Sequence, residues 1–182
     1  MKSHARVVVI GGGIAGCSTL YHLVKLGWSD VVLLERDELT AGSTWHAAGN
    51  CPSFSTNWNI IRLQRYGIEL YARLETETGA AVSLQRTGSV RLAHSRDRMD
   101  EFHHVAGMAR AQGIEFEVLT PAELVDRYPY LETQDLVGGL WDPIDGHVDP
   151  SQVTQALAQG ARQGGATIYR QCPVTAIARR GD

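Results

Sequence analysis

The feature that most constrains the fold is a glycine-rich turn placed directly after a short apolar segment. Residues 6–10 read Arg-Val-Val-Val-Ile, and this β-branched, non-alternating pattern predicts a parallel strand buried on both faces. Gly11, Gly13 and Gly16 follow in G-x-G-x-x-G spacing. In that pattern the first glycine permits a tight turn, the second lets the backbone approach a pyrophosphate, and the third lets a helix pack closely on the strand.

A helix and a second strand complete this pattern. Apolar residues from Ile14 to Val24 recur at three- and four-residue steps, and Gly27 suits the end of that helix. Residues 31–35, Val-Val-Leu-Leu-Glu, predict a second buried strand that ends in Glu35. An acid about 20 residues past the last glycine can accept hydrogen bonds from ribose hydroxyls and disfavours the extra phosphate of NADP. The strands, helix and acid together predict a dinucleotide site, whereas the glycine turn alone is also compatible with a flexible loop.

The loop at residues 41–49 distinguishes FAD from NAD. A simple NAD domain would continue into further strand–helix units, whereas this loop reads AGSTWHAAG and is rich in small residues and backbone donors. With the glycine pattern and Glu35, it resembles the D-amino-acid-oxidase-like FAD-dependent oxidoreductases. More narrowly, it resembles their dimethylglycine dehydrogenase, sarcosine dehydrogenase and dimethylglycine oxidase branch. Residues 145–150, DGHVDP, and 172–175, CPVT, support the same resemblance, which runs along essentially the whole chain.

The resemblance implies which residues contact FAD. In that branch the histidine of the loop carries the covalently attached flavin, which implies this role for His46, although a single histidine is more often an ordinary hydrogen-bonded residue. The cofactor-binding residues predicted from the pattern and the resemblance are Gly11, Gly13, Ile14, Ala15, Gly16, Glu35, Arg36, Ser43, Thr44, His46 and Val174. Arg36 is equally well interpreted as a solvated cation. Cys51 is a rival attachment point, disfavoured because relatives that use a cysteine carry it much later in the chain.

The resemblance also implies an activity. Enzymes of this branch oxidise an N-methylated glycine (dimethylglycine or sarcosine) or a related secondary or tertiary amine by hydride transfer to the flavin. An electron-transferring flavoprotein or oxygen is the expected electron acceptor, and tetrahydrofolate is a further cofactor of the full-length protein. Two alternatives stay open: an amine or amino-acid oxidase of the wider family with another substrate, and an inactive flavin-binding fragment. No catalytic residue is predicted, because these are expected beyond residue 182.

Composition argues against several other classes of protein. The 17 Lys and Arg are scattered among 20 Asp and Glu, which argues against nucleic-acid binding. No apolar run approaches the roughly 18 residues needed to span a membrane. The first strand begins close to Met1, so no leader peptide is expected and the protein is predicted to be cytoplasmic. Three widely separated cysteines argue against a disulfide framework, and no residue cluster has the spacing of metal ligands.

The middle of the chain predicts an insertion into the nucleotide-binding fold. The expected fold class is α/β: an FAD-binding, Rossmann-like parallel sheet from residues 1–50 and 146–182, with an inserted α+β substrate-domain segment at 51–145. Helices are predicted at 57–78, 98–112, 121–127 and 150–163, and strands at 87–93, 115–119 and 136–141. Thr120 and Asp149 are predicted to open capping boxes with Glu123 and Gln152.

The end of the chain predicts two further strands. Residues 166–170 are expected to pair beside the first strand, and 173–179 to form another strand. Because Arg-Gly-Asp at 180–182 would then follow only one arm of a hairpin, the chain is expected to be truncated at its C-terminus.

Overall fold

The computed structural model describes residues 2–179, and the expected hairpin turn at 180–182 lies outside them. In chain order the elements are β1 (Val7–Ile10), α1 (Ile14–Lys25), β2 (Val31–Leu34), β3 (Asn50–Cys51), α2 (Trp58–Thr78), β4 (Ser89–Ala93), α3 (Arg96–Arg110), β5 (Glu117–Leu119), α4 (Pro121–Arg127), β6 (Gly138–Asp142), β7 (Gly146–His147), α5 (Pro150–Gln163) and β8 (Thr167–Tyr169). None of the helices within residues 2–179 combines the length and the apolar character that crossing a bilayer requires.

The elements divide into two compact units. The first unit comprises the described parts of Met1–Gly49 and Val148–Asp182 together with Leu70–Leu84. The second unit comprises Asn50–Glu69 and Gln85–His147. The predicted inserted segment, 51–145, resembles the second unit in its outer limits, but Leu70–Leu84 belongs with the first unit.

The first unit is built on a parallel sheet with the strand order β1–β2–β8. The predicted α/β class is therefore confirmed, but the position of the third strand is wrong. β8 pairs with β2, where Leu33 is opposite Ile168, and not with β1. The reason is that α5 packs along α1, with Gly160 against the ring of Tyr21, and the chain then turns at Gly165 onto the free edge of β2.

The first two strands of this sheet differ in burial. Val31 and Leu33 of β2 are fully buried, as predicted. In β1, Val9 lies against Gly16 at the start of α1, but Val8 and Ile10 point to the other face and are 47% and 55% exposed. The prediction that β1 is buried on both faces is wrong, because among the described residues β1 is an edge strand with one covered face.

Most predicted helix ends are confirmed. Gly27 and Gly79 follow α1 and α2 with φ of 87° and 74°, a left-handed conformation that glycine adopts without strain. Thr120 and Glu123 form the predicted capping box at the start of α4. Asp149 caps α5 as predicted.

Two details of helix capping differ from the prediction. Gln152 does not reach back to its own helix start, because its side chain accepts a hydrogen bond from Ser83 instead. Helix α3 begins at Arg96 and not at Arg98, because the side chain of Ser95 accepts from the Arg98 N–H and caps the helix earlier.

The second unit is built on an antiparallel sheet with the order β4–β6–β5. Its core is formed by Ile61, Ala93, Phe102, Val105, Ala106, Ala109, Ile114, Phe116 and Leu140. A short antiparallel pair, β3 with β7, was not predicted, because two-residue strands leave no periodic pattern. This pair sets Cys51 opposite Gly146.

The predicted strand at 173–179 is wrong, since these residues have no regular secondary structure. The last backbone hydrogen bond of this end of the chain runs from the Cys172 N–H to the carbonyl of Glu35, at 2.8 Å, among the described residues. Beyond it, the described residues offer no strand with which 173–179 pairs.

Candidate functional site

The glycine turn after β1 has a geometry that side chains would obstruct. Gly11 has φ of 106°, and its N–H donates to the Leu34 carbonyl at 2.9 Å, which ties the turn to β2. A Cβ atom on Gly16 would lie 1.9 Å from the Gly11 carbonyl oxygen. The structure therefore explains two of the predicted glycines by the turn and by the close approach of α1.

A third glycine of the turn, Gly12, was missed by the sequence analysis. A Cβ atom there would lie 2.6 Å from Leu39 and 3.0 Å from the side chain of Glu35. The available signal was the run of three consecutive glycines at 11–13. Because Gly12 carries no side chain, the carboxylate of Glu35 can approach the turn directly.

Glu35 lies one residue past β2 and is hydrogen-bonded on both oxygens. Its Oε2 accepts from the Gly12 N–H at 2.5 Å, and its Oε1 accepts from the Asp37 N–H at 2.8 Å. Each carboxylate oxygen has a second lone pair, so the group remains able to accept from hydroxyl groups of a ligand. The structure thus orients the predicted acid at the glycine turn.

Thr44 connects the predicted attachment loop to the first helix. Its Oγ1 accepts from the N–H of Ile14 at 3.1 Å, and its side chain is buried. Gly13 is the N-cap residue of α1 and has no side chain that could accept a hydrogen bond. The Thr44 hydroxyl therefore accepts from one of the otherwise free N–H groups of the first turn. A second tie runs from Thr40 N–H to the Gly12 carbonyl at 3.0 Å.

The glycine turn, Glu35 and the loop that contains Thr44 line a cavity of about 460 Å³ that is open to solvent. Its lining comprises Ile10, Gly11, Gly12, Gly13, Leu34, Glu35, Arg36, Asp37, Gly42, Ser43, Thr44, Cys172, Pro173 and Val174. Seven predicted residues are brought together here: Gly11, Gly13, Glu35, Arg36, Ser43, Thr44 and Val174. The others, Ile14, Ala15, Gly16 and His46, lie outside the lining.

His46 is exposed at the surface of the loop. Its ring makes an edge-on contact with the ring of Trp45, with centroids 5.1 Å apart, and Trp45 itself is 64% exposed. The backbone of the loop is folded by turns, in which Trp45 N–H donates to Thr40 and Ala47 N–H donates to Thr44. The imidazole is therefore accessible, two residues from the anchored Thr44.

Residues 172–174 line the cavity, and the two residues before them are hydrogen-bonded to the segment after β2. Arg170 and Gln171 both hydrogen-bond to the carboxylate of Glu38. Donation from Gln171, assisted by Arg170, lowers the pKa of Glu38 below its ordinary value. Arg36 also lines the cavity, but it is 76% exposed and pairs with Asp37 at 3.4 Å, so both interpretations of Arg36 stay open.

The cysteines differ in chemical character. Burial raises the pKa of the Cys17 thiol to about 11, because this residue of α1 is fully buried in the core. Burial also raises the pKa of Cys51, so its reactive thiolate form is disfavoured. Within the described part of the chain, no group of three His, Cys, Asp or Glu side chains is arranged to hold a metal ion.

Comparison with known proteins identifies relatives of the whole chain. It is 43% identical to rat mitochondrial dimethylglycine dehydrogenase over 181 residues, which are 100% of this chain and 21% of that protein. It is 42% identical to human mitochondrial sarcosine dehydrogenase, over 97% of this chain and 19% of that protein. The resemblance to this branch is therefore confirmed, and the chain spans about a fifth of the length of these relatives.

Two further proteins that are similar to this chain are named for other functions. The mitochondrial pyruvate dehydrogenase phosphatase regulatory subunit of mouse is 38% identical over 96% of this chain and 20% of that protein. The structure of an L-amino acid deaminase from Proteus myxofaciens superposes with a TM-score of 0.86 and 27% identity, over 100% of this chain and 41% of that chain.

The family itself follows from a match over nearly the whole chain. The model of the family described as FAD dependent oxidoreductase matches residues 6–182, which include the glycine turn, Glu35 and the loop at 41–49. The match covers all the residues that line the cavity described above. The chain accordingly belongs to the FAD dependent oxidoreductase family.

Proposed function

We propose that this chain binds FAD, joined covalently to His46, in a protein that oxidises an N-methylated glycine or a related secondary or tertiary amine. The observation that carries the proposal is the cavity formed by the glycine turn, Glu35 and the loop at 41–49. The relatives named for dimethylglycine and sarcosine support the substrate class.

The residues of the cavity fit the nucleotide part of FAD. Gly11 and Gly13 leave the turn open for a pyrophosphate, and the N-terminal end of α1 favours its negative charge. Glu35 would accept hydrogen bonds from the ribose hydroxyls with its remaining lone pairs. Val174 would contact the adenine side, and Ser43 would contact the flavin from the loop.

His46 is suited to carry the flavin because the loop is anchored while the ring is free. Thr44 and Thr40 tie the loop to the glycine turn, which limits how far the backbone at His46 can move. The imidazole itself is exposed and touches only the exposed Trp45 among the ring contacts described. A neutral imidazole nitrogen is the nucleophile that a covalent link requires.

FAD, when bound, supplies the redox chemistry by accepting a hydride from the carbon next to the amine nitrogen. This chain contributes binding and orientation. The electron acceptor is an electron-transferring flavoprotein or oxygen, and tetrahydrofolate is a further cofactor proposed for the full-length protein.

The attachment is tested by acid precipitation of the purified protein followed by a denaturing gel. We expect flavin fluorescence to remain with the wild-type chain and to be lost from His46→Ala. The matched control is His104→Ala, which removes an exposed histidine of α3 in the other unit. Flavin that acid releases from the wild type, or that stays with His46→Ala, contradicts the covalent link.

A second candidate is flavin binding without turnover, as in a regulatory protein. The specific observation that favours it is the 38% identity to a phosphatase regulatory subunit. The two functions are distinguished by anaerobic bleaching of the bound flavin with dimethylglycine or sarcosine. Betaine is the control substrate, because its quaternary nitrogen has no lone pair with which to form an iminium. With the full-length protein, bleaching by dimethylglycine and sarcosine but not by betaine supports the enzyme, and no bleaching by any amine supports the second candidate.

A further inference from the structure

The second unit contains a buried polar cluster that the proposed function does not use. Asp142, at the end of β6, and Asp145, in the following turn, are 0% and 2% exposed. Ser53 is also fully buried, and Ser89 and Arg91 of β4 complete the cluster. Buried carboxyl groups are uncommon unless they are paired, so the partners of these two decide their charge.

Asp145 is the better-partnered carboxyl group. Its Oδ1 accepts from the backbone N–H of Ser53 at 2.6 Å. Its Oδ2 accepts from the Ser89 hydroxyl at 2.5 Å and from Nη2 of Arg91 at 3.2 Å. These three donors, one of them a cation, give both oxygens of Asp145 a hydrogen-bond partner.

Asp142 has no comparable cation among the described residues. Its Oδ2 accepts from the Ser53 hydroxyl at 2.5 Å, and its Oδ1 accepts from the Ile144 N–H at 3.1 Å. Two carboxyl groups therefore face one guanidinium, Arg91. The cluster is neutral overall when one carboxyl holds a proton, and it carries an uncompensated buried charge when neither does.

The other charged and titratable groups around the cluster do not change this balance. Burial, reinforced by Asp145, raises the pKa of the neighbouring Cys51 thiol, so that it stays neutral and adds no negative charge to the cluster. The guanidinium of Arg91 also lies 4.5 Å from the ring centroid of Phe54. On β5, Glu117 is exposed and paired with Arg127, and His147 of β7 is exposed.

We propose that Asp142 and Asp145 share one proton, and that loss of this proton loosens the segment Cys51–Phe54 from the second unit. Ser53 joins the segment to the pair, because its N–H and its hydroxyl bind one carboxyl each. Its hydroxyl bond favours the charged carboxylate, so the loosening comes from the uncompensated buried charge, which opening of the segment would expose to water. The segment is also held by the two-residue pairing of β3 with β7 and by the packing of Phe54 on Phe102 and Phe116. The segment follows the loop that contains His46, so the proton would control how firmly the chain is held just beyond this loop.

The direction of the pH effect follows from the burial of Asp142. Burial raises the pKa of Asp142 from 3.8 to about 6, and the neighbouring Asp145 adds to this, while the Ser53 hydrogen bond opposes it. A group whose pKa is raised in the closed form stabilises that form at low pH. The stabilisation is then lost as the pH rises through the raised value.

The proposal is tested by amide hydrogen exchange of Cys51, Ser53 and Phe54, corrected for the intrinsic pH dependence of exchange. In the wild type we expect the opening equilibrium to rise by up to about tenfold per pH unit above the ordinary Asp value, and to level off near pH 6. Asp142→Asn mimics the protonated form and should show no such rise. Asp126→Asn, which changes an exposed residue of α4, should behave as the wild type does.

A second variant keeps the test decisive if Asp142→Asn fails to fold. Ser53→Ala removes the hydroxyl that favours the charged form of Asp142, so the pH at which opening levels off should move upward. Carbon-13 NMR of the Asp carboxyl groups should show one of them titrating well above the ordinary value. A wild type without pH-dependent opening, an Asp142→Asn that retains it, or a Ser53→Ala without the shift would each overturn the proposal.

Discussion

At the scale of single residues, Thr44 shows how a side chain that lines a site can also stabilise the local fold. The resemblance implied a contact with the flavin, and the residue does line the cavity. Its hydroxyl, however, accepts from the Ile14 N–H, an otherwise free donor of the first turn of α1. Thr44 therefore acts as a helix cap supplied from a loop 30 residues away in the chain.

Replacement of Thr44 tests this capping role. Thr44→Val keeps the shape of the side chain but removes the acceptor, so we expect the free energy of unfolding to fall by about 1 kcal/mol. Thr44→Ser keeps the hydroxyl and should lose less. Denaturant unfolding measures the difference, and equal losses in the two variants would show that the hydroxyl is not the group that matters.

At the scale of secondary-structure elements, two helix glycines occupy opposite environments. Gly107 of α3 has open space where a Cβ atom would be. Gly160 of α5 would place a Cβ atom 2.9 Å from the ring of Tyr21 and 3.0 Å from Thr78, where α5 packs on its neighbours. The first glycine costs helix stability without any packing benefit, whereas the second permits close contact between helices.

The same substitution should thus have opposite effects at the two positions. We expect Gly107→Ala to raise the free energy of unfolding by about 1 kcal/mol, through helix propensity alone. Gly160→Ala should lower it by about 1–3 kcal/mol, because Tyr21 or α5 must shift. Thermal unfolding of the two variants against the wild type measures both changes. A stabilised Gly160→Ala would mean that the contact between α5 and α1 is loose.

At the scale of the whole molecule, structural features that depend on residues close together in the sequence were predicted. Features that depend on contacts between residues far apart in the sequence were missed. The glycine turn, the placement of Glu35 directly after β2 and the capping box at Thr120 depend on residues a few positions apart, and the structure contains all three. The partner of β8 depends on how α5 packs, which no local pattern encodes. The bond between Ser53 and Asp145 joins residues 92 positions apart and could not be predicted for the same reason.

The two units should also respond to pH in opposite directions. In the second unit Asp142 is stabilising when protonated. In the first unit Tyr21 donates to Glu77, which also pairs with Lys25 at 3.6 Å and Arg73 at 3.0 Å. The Tyr21 hydrogen bond, with these cations, lowers the pKa of Glu77. A lowered pKa stabilises the folded form above the ordinary glutamate value of 4.5, and the stabilisation is lost as the pH falls below it.

Tyr21→Phe tests this difference, because it removes the largest cause of the lowered Glu77 pKa without removing the ring. At neutral pH and low salt we expect faster amide exchange in Leu70–Leu84 of the variant than of the wild type. The gap should shrink as the pH falls below 4.5, because Glu77 is protonated first in the variant and then, through its lowered pKa, in the wild type. Amide exchange in the segment Cys51–Phe54 should keep the wild-type pH dependence. Tyr130→Phe, which changes a fully exposed ring, is the matched control. A gap that stays constant into acid would show that Glu77 is not the group through which Tyr21 stabilises the first unit.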